Sequence, residues 1–146
     1  MDPSLSNVLT SAEVQAFASG FPVMVLHLVV TLLLLALGVA CYTAITPFNE
    51  RHLVRGGNVA AGIVYGGTII AFAIPLAATL ATSLFLLDIV IWGLIALVLQ
   101  LAAFGIATLL FRDMRPMIEG GNVAAALTLA GIQIGIGLLN AGAMAG

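Results

Sequence analysis

The stretch Gly56-Gly57-Asn58-Val59-Ala60-Ala61 occurs a second time, unchanged, as Gly120-Gly121-Asn122-Val123-Ala124-Ala125. An identity of this length marks an internal repeat. The surroundings agree at the same offset: Arg51 matches Arg115, Val54 matches Ile118 and Gly67 matches Gly131. Local chemistry accounts for the motif. A glycine pair ends one helix, an asparagine side chain caps the next, and Val-Ala-Ala continues it. Residues 46–55 therefore read as a short helix at the membrane surface, with Thr46 as cap and Pro47 at the first helical position. Asn58 and Asn122 then open two long helices. An anion held at those two helix starts, beside Arg51 and Arg115, is the functional alternative to plain capping.

Outward from the repeat lie four apolar stretches, expected at Val23–Ile45, Val59–Phe85, Asp88–Phe111 and Val123–Met144. Each reaches the roughly 20 helical residues that cross a hydrocarbon core of about 30 Å. They lack the alternation of an outer-membrane strand, and only a helix satisfies its own backbone in lipid. Composition requires the same solvent. Hydrophobic residues make up 62% of the chain and charged ones 7%, against about a quarter charged in soluble domains. Mean hydropathy is +1.24. The net charge of −2, with no basic run, gives nucleic acid nothing to bind.

The fold class expected is all-α and integral to the membrane. Four transmembrane helices form two parallel tandem hairpins, residues 23–86 and 87–146, after an outer segment 1–22. That segment could form an interfacial helix behind a Thr10–Glu13 capping box. The repeat offset spans two helices, so the hairpins share one orientation and are not inverted. All four arginines, Arg51, Arg55, Arg112 and Arg115, fall in loops 46–58 and 112–121. The positive-inside rule puts those loops in the cytoplasm and both termini in the periplasm or outside.

Small residues four apart let helices approach closely in lipid. Gly62 and Gly66 align with Ala126 and Ala130, and Gly67 and Ala71 with Gly131 and Gly135. The second and fourth long helices are thus expected to pack, with each other or across an oligomer interface. Polar residues at bilayer depth are the functional candidates. Gln100 and Gln133 fall near the midplane and read as interhelical glue. His27, Asp88 and Asn140 fall in the outer half, near Pro75, and His27 with Asp88 could form a proton-linked pair.

Several chemistries lack their residues. Cys41 is the single cysteine and reads as a small buried hydrophobe. His27 and His52 belong to opposite faces, so no metal-ligand spacing exists. Glu50 with His52 reads as a solvated loop, because the second copy has Met114 and Pro116 there. No catalytic residue, cofactor or metal is expected.

Ile45-Thr46-Pro47-x-Asn49-Glu50, the two Asn-x-Ala-Ala starts at Asn58 and Asn122, Ile74-Pro75-Leu76, Asp88 with Trp92 and Gln100, and Asn140-Ala141 occur in this order. Together they resemble the YjfL-like bacterial inner-membrane proteins, the family of domain of unknown function 350. The likeness covers nearly all of the chain after about residue 22. It implies four helices in tandem repeats in the cell inner membrane. The family has no assigned reaction. Where its members carry an Asn-rich turn before the second helix, this chain has Gly56-Gly57. The function expected is an oligomeric structural or accessory module, a homo-oligomer or a subunit of a larger membrane complex. A small oligomeric pore or transporter for an ion or small polar solute is the alternative.

Overall fold

The computed structural model describes residues 11–46 and 49–146. Within them the chain is helical: α1 Ala12–Ile45, α2 Glu50–Arg55, α3 Val59–Thr82, α4 Leu86–Leu110, α5 Met114–Glu119 and α6 Val123–Ala145. Four of these, α1, α3, α4 and α6, are long and apolar enough to cross a membrane.

The contacts fix the helix directions. Gly67 meets Ala130 and Ala71 meets Gly137, so α3 and α6 run the same way. Gly38 meets Leu97 and Gly93 meets Leu34, so α1 and α4 also run together. Gln100 reaches Gln133 while Asn140 reaches back to Ala96, so α4 opposes α6. The bundle is up-down-up-down. The arginine-bearing segments α2 and 111–119 lie together at one end, and residues 83–85 lie at the other. Leu33, Leu94, Leu99, Leu127 and Leu139 remain exposed on the outward faces, which suits a lipid surround.

The closest seam joins α3 and α6, and Pro75 shapes it. Proline has no N–H, so the carbonyl of Ala71 loses its helical donor. A Cβ built on Gly137 would stand 2.6 Å from that carbonyl oxygen. Only glycine permits α6 to approach there, and its Cα–H faces the freed oxygen. About one turn earlier on α3, a Cβ on Gly67 would stand 2.6 Å from the Ala130 Cβ. Tyr42, Phe72, Leu76, Ile89, Leu97 and Phe104 fill the junction of α1, α3 and α4. Ala60, Val64, Ile118, Ala126 and Leu129 fill a second core where α5 closes the α3–α6 pair.

The short helices end alike. Gly57 and Gly121 take φ of 82° and 86°. The N–H of Asn58 donates to Leu53 O at 2.9 Å, and that of Asn122 to Met117 O at 2.8 Å. This is a Schellman closure, and it needs glycine at the left-handed residue. The asparagine that ends one helix then starts the next. Asn58 Oδ1 accepts from the Ala61 N–H at 2.9 Å, and Asn122 Oδ1 from the Ala125 N–H at 3.1 Å.

Three expectations need correction. The first long helix begins at Ala12 instead of Val23, and it continues through Pro22. Ser11 caps it by accepting from the Val14 N–H at 3.4 Å, whereas Thr10 lies outside the described residues. Residues 12–22 thus continue the helix of α1. Secondly, Thr46 terminates α1, donating its hydroxyl to Tyr42 O at 2.6 Å. Asn49 is the cap of α2, accepting from the His52 N–H at 3.1 Å; Pro47 lies outside the described residues. Thirdly, Cys41 is only partly buried.

Candidate functional site

Glu50 is where the structure departs furthest from the loop reading. It is 2% exposed, because α2 tucks its first residue beneath the last turns of α1. The Tyr42 hydroxyl donates to Glu50 Oε1. Glu50 Oε2 is buried without a partner. Desolvation raises the Glu50 carboxyl from 4.5 to about 7, against the opposing pull of the Tyr42 hydroxyl and the Arg51 charge. A buried acid able to hold a proton near neutrality thus sits at the arginine-bearing end. The signal was present in the run Tyr42 to Glu50, two polar residues either side of Thr46-Pro47 in the sequence. It was masked because the second copy has no equivalent.

Further into the bundle, Gln100 and Gln133 come together at 3% and 2% exposure. Gln100 Nε2 donates to the Gln133 backbone carbonyl at 2.9 Å. Gln133 Oε1 accepts from the Thr68 hydroxyl at 2.8 Å. These bonds tie α4, α6 and α3 at one level. Asn140 does not join an outer polar cluster. It is 8% exposed, and its Nδ2 donates to Ala96 O at 3.0 Å. One amide bond thus runs each way between α4 and α6, from Gln100 to α6 and from Asn140 to α4.

His27 and Asp88 do not meet: no hydrogen bond or ion pair joins them among the described residues. His27 is half-buried, and its carbonyl accepts from Thr31. Asp88 lines a cavity of about 390 Å³ with Thr79, Thr82, Ser83, Trp92 and Met144. His27, on α1, is not among the residues lining that cavity.

The glycines divide by neighbour. Gly67 faces Ala130 directly, whereas Gly62, Gly66, Gly131 and Gly135 have open space where a Cβ would point. Gly137, which the small-residue spacing did not single out, approaches its neighbour as closely as Gly67 does: a Cβ there would stand 2.6 Å from the Ala71 carbonyl oxygen. Asn58 also does more than cap α3. Its Nδ2 donates to the Ile118 and Glu119 carbonyls at 3.1 and 3.0 Å, tying α3 to the end of α5. Arg115 pairs with Glu119 at 3.0 Å on the surface of α5. Among the described residues, no group of three His, Cys, Asp or Glu side chains could hold a metal ion.

Similarity to known proteins bears on this arrangement. The UPF0719 inner membrane protein YjfL of Escherichia coli strain K12 is 33% identical over 103 residues, covering 70% of this chain and 78% of the relative. The protein of the same description from Escherichia coli O157:H7 matches to the same extent. No solved structure matches. Residues 16–144 match the family described as Domain of Unknown Function (DUF350), a span that takes in all four long helices. The chain belongs to the DUF350 family.

Proposed function

We propose that this chain is a non-catalytic multipass protein of the bacterial inner membrane that works as an oligomeric structural or accessory module. One observation carries the reading. Each of α3 and α6 has two rows of small residues, and the bundle uses one of them. Gly67, Ala71, Ala130 and Gly137 form the internal seam, while Gly62, Gly66, Gly131 and Gly135 remain open. Helices in lipid associate by close packing, because apolar burial gives no advantage there. The open rows suit a second copy of this chain.

The parallel courses of α3 with α6, and of α1 with α4, support two tandem hairpins of equal orientation. By the positive-inside rule the arginines support a cytoplasmic side for α2 and α5, with both chain ends outside. Similarity to an inner membrane protein of E. coli supports the inner membrane as the location.

The test is oligomeric size in mild detergent and in lipid, with Gly62→Leu, Gly66→Leu, Gly131→Leu and Gly135→Leu. Association is expected for the wild type and loss of it in the variants, with helicity kept. A wild-type monomer in both media, or unchanged size in all four variants, defeats the reading. A second reading, a small pore or transporter, is favoured by the cavity of about 390 Å³ holding Asp88, Ser83 and Thr82 at the end opposite the arginines. Flux into liposomes that is lost in Asp88→Asn would select it.

A further inference from the structure

Four side-chain atoms among the described residues are buried with no hydrogen-bond partner: Glu50 Oε2, Gln100 Oε1, Gln133 Nε2 and Asn140 Oδ1. Leaving such an atom unsatisfied costs about 1–3 kcal/mol. Each therefore calls for a partner. Two of them belong to side chains that line one space. A cavity of about 10 Å³ lies among Tyr42, Thr68, Phe72, Gln100, Phe104 and Gln133. That volume is about one water-sized sphere, at the threshold for holding one water molecule. A cavity with only apolar walls stays dry, and a bound water needs two to four polar partners. Here Gln100 Oε1 is a free acceptor and Gln133 Nε2 a free donor. Tyr42 and Thr68, which each carry a hydroxyl, line the same space. Tyr42 has committed its proton to Glu50, so its oxygen can still accept.

We propose that this cavity is a binding site for one water molecule. The water donates to Gln100 Oε1 and accepts from Gln133 Nε2. Its second proton faces the Tyr42 and Thr68 hydroxyl oxygens. Both glutamines are then satisfied at bilayer depth, where no bulk solvent reaches them. The water also extends the Glu50–Tyr42 hydrogen bond into the centre of the bundle, so the buried acid and the midplane amides become one polar network. The same volume shuts out any larger solute. Lining the wall with two phenyl rings, Phe72 and Phe104, keeps the site from widening into a channel within one copy. The inference does not depend on whether the chain associates.

The experiment is crystallography of the full chain in a lipid mesophase, at a resolution that shows ordered water. One peak is expected within about 3.2 Å of both Gln100 Oε1 and Gln133 Nε2. An empty cavity, or amides turned to bond each other directly, overturns the proposal. The Gln100→Leu/Gln133→Leu double variant is expected to lose the peak. A peak that persists there would show that the amides do not hold the water, and would also overturn it. Should the double variant not fold, water contacts at the glutamine side-chain amides decide the matter in wild type. They are read by NMR on the full chain in micelles. Long-lived contacts are expected at Gln133 and Gln100, and their absence refutes the site.

Discussion

At the first copy of the repeated motif, Asn58 caps α3 and reaches across to two carbonyls at the end of α5. At the second, Asn122 caps α6 and its side chain is otherwise exposed. The contrast continues along both copies. Glu50 is buried against Tyr42, whereas their counterparts Met114 and Ile106 are apolar, with Ile106 59% exposed. Ile118 is fully buried, while its counterpart Val54 is exposed. Gly67 is pressed against Ala130, while its counterpart Gly131 faces open space. The local backbone repeats because short-range hydrogen bonds dictate it. The environment does not repeat, because two parallel helices share one seam and each can offer only one face to it.

The largest effect should come from the seam itself. Gly137→Ala drives a Cβ into the Ala71 carbonyl, a backbone atom that cannot rotate aside. A loss of about 3 kcal/mol is expected in unfolding from a detergent that keeps the chain monomeric. Gly67→Ala should cost about 2 kcal/mol, since its Cβ meets another Cβ. Gly131→Ala should be neutral or stabilising by up to about 1 kcal/mol, as expected for glycine in a helix interior. Equal behaviour of Gly67→Ala and Gly131→Ala would break the comparison.

Glu50 should make folding pH-dependent in a direction that can be stated. Its carboxyl titrates near 4.5 when exposed and at about 7 when folded. Below 4.5 both states hold the proton. Between 4.5 and about 7 the unfolded chain releases it while the folded chain keeps it. This contribution to stability therefore falls as pH rises through that window, by at most about 3 kcal/mol, and levels off above it. Thermal unfolding measured from pH 4 to 8 should show this slope. Glu50→Gln should flatten it, and Met114→Gln, at the matching site, should leave it unchanged.

Smaller differences sharpen the asparagines. Asn58→Ala removes a cap and two bonds to α5, for about 2 kcal/mol. Asn122→Ala removes a cap alone, for about 1 kcal/mol. A wider gap would mean that α5 is held mainly by Asn58. The smallest effect is expected at the exposed Arg115–Glu119 pair, where Glu119→Gln should change stability by less than about 0.5 kcal/mol.

Much of the helix layout was legible along the chain. Val59 and Val123 begin α3 and α6, and the Gly-Gly-Asn junctions are readable because their hydrogen bonds span only a few residues. The ends that moved were those where propensity signals compete. Pro22 did not break α1, and Thr46 closed a helix that it could equally have opened. The candidate site was less legible. The two glutamines could be placed at one depth by counting turns, but their partners could not. The acid at Glu50 looked like a loop residue, since nothing local announces its burial. His27 and Asp88 shared a depth and still did not meet, because depth says nothing about which way a side chain faces around its helix.

The sequence by itself determined that the bilayer is the solvent, that four helices can cross it, and where the repeated junctions fall. These follow from apolar length and from hydrogen bonds between near neighbours. Only the tertiary structure decided that Gly67 and Gly137 are pressed into the seam while Gly131 faces open space, that Glu50 is sealed beneath Tyr42, and that Gln100 and Gln133 frame a space the size of one water molecule. Those depend on the rotation of each helix about its own axis. That rotation is set by how all four helices pack together, and no single segment encodes it.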